Sequence, residues 1–270
     1  MRDRTNPDFV EALARGLDVL KAFGTERRGL SLSEVSTRAG LPRPTVRRLL
    51  ITLSELGYVR SSGSLFSLTP RVLDLGMAYF SSQGFWEIAE PRLAELVTIT
   101  GESCSIAQLD GSDIVYVARV AVPRLVTLSV TIGTRFPAIQ TSLGKVLLAS
   151  LSTAELDAAL SVPSRSDVTP SWQPQRPEID RVLAGVRAQG WAVSDQQLAA
   201  AIRSIAVPLT DADGHVFAAV NVNAHAAETS IETLTGIYLP QLQKTAAEIS
   251  HDRQLWMQIP RRDEAVTKRP

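Results

Sequence analysis

Between Arg43 and Ser54 the chain carries an apolar stripe at helical spacing and, on the opposite face, arginines with no acidic residue among them. Val46, Leu49, Leu50 and Leu53 recur at i, i+3, i+4 and i+7, the pattern of a helix packed on a core along one side. Pro44, Arg48, Ile51 and Thr52 point away from that stripe, and Thr45 and Arg47 flank it. A surface helix that merely covers a core usually mixes charge signs on its outer face. This face is suited to an anion with an edge to read. In a major groove arginine bonds guanine bidentately, threonine reaches a base edge or phosphate, and isoleucine packs on a thymine methyl. Arg43 and the first backbone N–H groups of the helix suit a phosphate.

The flanking segments supply the rest of a DNA-binding unit. Asp8 and Glu11 form an N-terminal capping pattern, and Leu13, Leu17, Leu20 and Phe23 then predict a core-facing helix stopped at Gly24. Ser31 and Glu34 predict a second capping box, for a helix from Leu32 to Ala39 closed by Gly40. Leu41-Pro42-Arg43 leads to Pro44, expected as the first residue of the third helix. After Gly57, Tyr58 to Ser61 and Ser64 to Leu68 predict a hairpin around Ser62-Gly63, placing Arg60 near a flanking phosphate or minor groove. The whole is a winged helix-turn-helix. Charge agrees. The formal net charge is zero, yet residues 1–80 hold twelve Lys/Arg against eight Asp/Glu, a net of +4, and residues 81–270 hold sixteen against twenty, a net of −4. Asymmetry between halves points to nucleic-acid contact at the basic end.

At 270 residues, 44% of them hydrophobic, the chain has material for two cores. The expected division is a DNA-binding domain over 1–69, a linker helix over 70–84, an effector domain over 85–258 and a disordered tail over 259–270. The linker helix serves either as lever and dimer contact or simply packs on its own domain. From residue 101 the periodicity shifts. Ser103 to Leu109 and Ile114 to Val120 predict a hairpin, and Leu125 to Ile132 a third strand. Helices follow over Thr141 to Leu151, Thr153 to Leu160 and Glu178 to Gln189. Strands are expected at Trp191 to Val193, Ile202 to Leu209 and Val216 to Ala224. A final helix, Ile231 to Trp256, is interrupted by Pro240. The fold class is α+β, an antiparallel sheet with flanking helices.

Other functions find little support. Apolar runs fall short of a membrane span, and the first residues lack a secretory apolar region, so a cytoplasmic protein with no membrane partner is expected. Cys104 stands alone and three scattered histidines form no ligand cluster, so neither disulfide, metal nor cofactor is expected. Leu143-Gly144-Lys145-Val146 hints at a phosphate loop, but Ile139 stands where glycine is needed and Val146 where a hydroxyl would hold magnesium. Without a nucleophile motif the chain is not read as an enzyme.

Two segments carry a family resemblance. Leu41 to Leu50 followed by Leu56-Gly57-Tyr58-Val59, and Gly190 to Gln197 followed by Ile202 to Pro208, resemble the IclR family of bacterial regulators. The similarity runs from about residue 9 to 257. Ile132 to Ala138 with Thr141 to Lys145 is similar to the subgroup governing protocatechuate, 4-hydroxybenzoate and β-ketoadipate catabolism. The resemblance implies a GAF-like sensor domain, homodimers or tetramers, and an aromatic or dicarboxylic acid effector, one of those three compounds. It places the effector against Thr141, Ser142 and Leu143, with Asp195, Ser204, Asn221 and Asn223 completing the wall. Arg135 or Arg203 would pair with a carboxylate, unless Arg203 is spent on Asp195. Asn221 and Asn223 share a strand face, which is otherwise simply solvated. The chain departs from the family at Gln197 and Ala201, where glutamate and glycine are more usual. The expected function is a ligand-responsive regulator of aromatic-acid catabolism genes, binding a double-stranded operator and, if an activator, RNA polymerase. The rival is a winged-helix regulator controlled by a partner protein, which predicts an occluded apolar centre in the second domain.

Overall fold

The computed structural model describes residues 7–24, 29–77, 86–123 and 130–258. Its internal contacts group into two units, Met1–Gln83 and Gly84–Pro270. The expected tail and most of the strand expected over Leu125 to Ile132 lie outside the described residues, as do 78–84 of the linker.

In the first unit, helices α1 (Glu11–Lys21), α2 (Leu32–Ala39) and α3 (Arg43–Glu55) pack with a three-stranded sheet of β1 (Leu30–Ser31), β2 (Val59–Ser62) and β3 (Leu65–Leu68), ordered β1-β3-β2. Ser31 caps α2 as expected: its Oγ accepts from the Glu34 N–H, and the Glu34 carboxylate accepts from the Ser31 N–H at 2.8 Å. Val46, Leu50 and Leu53 enter the core with Val19, Phe23, Leu30, Val35 and Val59. Four expectations are corrected. The N-cap of helix α1 is Val10 rather than Asp8, and the Val10 side chain makes no capping bond. Leu13 and Leu17 are 64% and 42% exposed, because Val19, Ala22 and Phe23 on the neighbouring face take the core positions instead. The wing turn lies one residue later than expected, at Gly63-Ser64, with Gly63 at φ 61° and Ser62 paired to Leu65. Pro44 is the second helical residue, Arg43 the first.

The second unit holds helix α4 (Trp86–Thr100) and six strands: β4 (Ser103–Asp110), β5 (Asp113–Val120), β6 (Arg135–Pro137), β7 (Ala192–Asp195), β8 (Ile202–Thr210) and β9 (Val216–His225). They form one antiparallel sheet in the order β6-β5-β4-β9-β8-β7. Between β6 and β7 come a single 3-10 turn (Ala138–Gln140) and helices α5 (Ser142–Ala149), α6 (Thr153–Ser161) and α7 (Arg176–Gln189). After β9 come a short helix α8 (Ile231–Thr233), a π turn (Leu234–Tyr238) and α9 (Leu239–Met257). The π turn is how the helix absorbs Pro240, which lacks an N–H and crowds the preceding turn. The Leu239 N–H reaches back to Leu234 O, and Pro240 starts the next helix rather than breaking this one. The six-stranded sheet buries both faces. Cys104, Ile106, Ile205, Val220 and Val222 face one way, on the side of α4 and α9. Ala107, Tyr116, Ala206 and Ala219 belong to the opposite core, with Leu143 and Leu147 of α5 and Leu183 of α7.

Helix α5 sits unusually close to the chain before it. A Cβ on Gly144 would lie 2.1 Å from the Ala138 carbonyl oxygen, so only glycine allows the contact. That is the structural use of Gly144, and Lys145 beside it is buried and bonded within the protein, unavailable to a phosphate.

Candidate functional site: a polar cavity on the sheet and a basic helix face

The inner face of the second unit's sheet carries two rows of polar side chains. Strand register aligns Arg119, Ser105 and Asn221 across β5, β4 and β9, and aligns Ser103, Asn223, Ser204 and Ser194 across β4, β9, β8 and β7. Each strand contributes by period-two alternation, which is why Asn221 and Asn223 share a face. Strand β5 needs a further device. Ile106 pairs with Ala118 and Ala107 with Tyr116, leaving Val117 as a bulge. The extra residue lets Tyr116 and Arg119, three apart, point to the same side.

These rows floor a cavity of about 70 Å³, several times the ~10–15 Å³ needed for one water. Thr141, Gln140, Phe136, Leu198 and Ile202 complete its walls. Of the residues expected to bind effector, Thr141, Ser204, Asn221 and Asn223 line it. Ser142 stands just behind, its Oγ 2.8 Å from the Ser204 Oγ. The other four are placed elsewhere. Leu143 is fully buried in the core. Arg135 alternates with the cavity-lining Phe136, so it faces the other way and pairs with Asp110 and Asp113. Asp195 and Arg203 are register partners one residue out of phase with Ser194 and Ser204. They bond each other at 2.8 Å, and Arg203 also donates to the Thr229 carbonyl at 2.7 Å. The Arg203 bond holds the Asp195 carboxyl below its ordinary range.

The cavity's own cation is Arg119, which the sequence analysis did not single out. Its guanidinium Nη1 donates to Ser105 Oγ at 2.9 Å, and its buried Nε has no hydrogen-bond partner. No carboxylate pairs with it among the described residues, and burial lowers its pKa. Two buried acceptors are also unpartnered, Asn221 Oδ1 and Gln140 Oε1, both on lining residues. Gln140 is oriented by its amide, which donates to the Trp172 carbonyl at 3.0 Å. Burial pushes the Tyr116 hydroxyl up to about 12, against a weaker opposing pull from Arg119 and a hydrogen bond to Asn223. The visible signal for Arg119 was a lone arginine in an otherwise apolar strand, Ile114 to Val120. Its face, however, depends on a bulge that no local pattern marks.

On the first unit, Arg43, Pro44, Arg47, Arg48, Ile51, Thr52 and Arg60 are exposed and Thr45 is half-buried. Thr52 Oγ1 already donates to the Arg48 carbonyl at 3.1 Å, leaving it chiefly an acceptor. Thr45, Arg48 and Thr52 also border an apolar groove formed with Leu13, Leu17 and Leu56. The displaced leucines of α1 therefore flank the basic face.

Elsewhere, His215 gathers with Asp211 and Asp213 at the β8–β9 turn, a grouping the sequence analysis did not anticipate. Asp211 there accepts from the backbone N–H groups of Asp213 and His215, the bonding of an ordinary turn. Cys104 is buried with its pKa pushed up to about 12, an inert thiol. No helix among the described residues is long and apolar enough to cross a membrane.

Comparison with known proteins agrees with both units. The model of the IclR helix-turn-helix domain matches residues 12–63, and that of the bacterial transcriptional regulator IclR C-terminal domain matches residues 77–251. The chain is 40% identical over 247 residues to the Pca regulon regulatory protein of Pseudomonas putida, covering 91% of this chain and 85% of that one. It is 33% identical to the p-hydroxybenzoate hydroxylase transcriptional activator of Acinetobacter baylyi, covering 90% and 91%. A crystal structure of an IclR homologue from Microbacterium hydrocarbonoxydans, in complex with 4-hydroxybenzoate, superposes with a TM-score of 0.76 at 22% identity. The match spans 90% of this chain and 99% of that one, and it shows the shared fold. The chain belongs to the IclR family, as a DNA-binding, ligand-responsive transcription regulator.

Proposed function

We propose that this regulator senses a small aromatic acid in the second unit's cavity and couples that to operator binding by α3 and the wing. The carrying observation is Arg119, a half-buried guanidinium whose buried Nε has no hydrogen-bond partner and which has no carboxylate partner among the described residues, on the floor of the cavity. A buried cation left unpaired is costly, and an anionic ligand supplies the partner by a charge-assisted contact. The aromatic Phe136 and Tyr116, set edge to face at 5.7 Å, offer apolar aromatic contact for a ring. Asn221 Oδ1 and Gln140 Oε1 offer acceptors for ring hydroxyls. The Acinetobacter relative's tie to p-hydroxybenzoate, and the ligand in the Microbacterium homologue, support an aromatic acid of that kind. A cavity with unpartnered polar groups on its floor and walls is not what control by a partner protein requires.

On DNA, Arg43 and Arg60 hold phosphates, while Pro44, Arg48, Ile51 and Thr52 face base edges and Thr45 and Arg47 flank them. A homodimer would set two α3 helices in successive major grooves, about 34 Å apart on a near-palindromic operator. The test is calorimetric titration with protocatechuate, 4-hydroxybenzoate and β-ketoadipate, on wild type and Arg119→Met. Saturable binding of protocatechuate or 4-hydroxybenzoate, weakened at least tenfold by the substitution, is the expected result, and binding of β-ketoadipate alone, which has no ring, would overturn the aromatic reading. No binding of any of the three would overturn the aromatic-acid assignment.

A further inference from the structure

The loop 196–201, joining β7 to β8, forms one wall of the sensor cavity through Leu198 and Ala201. Both of its ends are in the left-handed region without being glycine: Gln196 at φ 56° and Ala201 at φ 64°. That conformation sets Cβ against the backbone and opposes the closed form. The loop's ends are tied by backbone bonds, Gln196 N–H to the Ile202 carbonyl at 2.8 Å and Ala226 N–H to the Ala201 carbonyl at 2.9 Å, and its middle is tied down by Lys145 of α5. Its Nζ donates to the Val193 carbonyl at 2.7 Å and to Gln197 Oε1, and lies 5.3 Å from the Trp172 ring centroid. The Trp172 N–H in turn donates to the Gln197 carbonyl at 3.0 Å.

Lys145 is only 3% exposed, yet it has no counter-charge among the described residues. The charged groups on the surrounding elements are engaged elsewhere. Glu178 of α7 accepts from the Trp172 indole at 3.2 Å, Asp195 of β7 is taken by Arg203 of β8, and Arg187 of α7 donates to the Ala149 carbonyl. On β5 and β9, Tyr116, Arg119 and His225 face the cavity and bring no negative charge. Burial alone pushes the Lys145 pKa down to about 8.

We infer that loop 196–201 is a lid on the cavity, held shut by Lys145 but kept near balance by the uncompensated buried charge and the left-handed backbone at both ends. The inference rests on the sensor reading only for what passes beneath the lid. Opening returns Lys145 to water, where an amine titrates at about 10.4. The closed lid therefore binds fewer protons than the open one between about pH 8 and about pH 10.4, and closure strengthens as pH rises through that window.

Hydrogen exchange of the full-length, effector-free protein tests this, with rates at pH 7 and pH 9 corrected for intrinsic exchange. Protection of 196–201 is expected to be about tenfold greater at pH 9, given a closed-state pKa near 8 and an open-state value near 10.4. Lys145→Met should flatten that dependence, whichever way it moves the absolute rate. Gln197→Glu should supply the missing carboxylate, raising protection at pH 7 and shifting the rise above pH 9. Ala201→Gly should relieve the strain and slow exchange several-fold at both pH values. The inference is overturned by a wild-type rate independent of pH, or by the same pH rise in Lys145→Met. It is equally overturned if Ala201→Gly slows exchange while 4-hydroxybenzoate, where it binds, leaves at the wild-type rate. If no acid binds at all, the sensor reading fails by itself and the exchange comparison still decides the lid.

Discussion

Single side chains carry both recognition functions, and phase along a strand decides which ones. Arg203 and Ser204 are neighbours in sequence, but Arg203 closes an ion pair with Asp195 while Ser204 faces the cavity. Arg135 and Phe136 divide in the same way. Substituting Arg203 should therefore act through stability, whereas Arg119→Met should remove effector affinity and leave the fold intact. Asn221→Leu fills a buried polar position with an isosteric apolar group, so operator binding of the free protein should persist while effector response weakens; titration with effector and a gel-shift series check the two halves. On the other unit, Arg48→Ala should cost ~1–3 kcal/mol on the operator and relax preference at one base position, if it is a bidentate contact. A selection from random DNA sequences measures that. Unchanged preference would assign Arg48 to phosphate contact instead.

At the scale of elements, caps and close approaches do what propensity alone cannot. The Ser31–Glu34 capping box starts the helix that braces α3, so Ser31→Ala should destabilise the first unit by ~1 kcal/mol, seen as a lowered melting midpoint. Gly144→Ala should be far more damaging. Its methyl would enter the Ala138 carbonyl at 2.1 Å, and α5 must move away from the turn that presents Gln140 and Thr141 to the cavity. A circular dichroism melt together with effector titration would show loss of both stability and binding. The Ser31–Glu34 capping box, the third helix and the wing hairpin were legible because each is local: the residues that define it lie within a few positions of one another. The bulge at Val117, the strand β6 and the π turn before Pro240 were not, because each is a response to a neighbouring element.

For the whole molecule, the charge division puts the basic excess at the DNA-binding end, and operator affinity should fall with salt as phosphate counterions are released. Coupling between sites must also be reciprocal. Whatever factor the effector applies to operator affinity, the operator must apply to effector affinity. Measuring effector binding with and without a saturating operator duplex gives that factor, and a factor of one would mean that the two sites are not coupled.

The chain's own pattern of residues determined the winged helix, its exposed basic face, the α+β sensor unit and the pair of asparagines on a shared strand face. These depend on helical and strand periodicity and on caps, all short-range properties of the polypeptide. Only the tertiary structure decided which cation sits in the cavity, why Leu13 and Leu17 remain exposed, and how a lysine without a counter-charge comes to hold a loop whose ends lack glycine. The departures at Gln197 and Ala201 were visible as letters. Their consequence was not, because it depends on Lys145, some fifty residues away, being buried against them by the packing of α5 on the sheet. Burial and register are properties of the assembled sheet, and they set the electrostatics that the sensor uses.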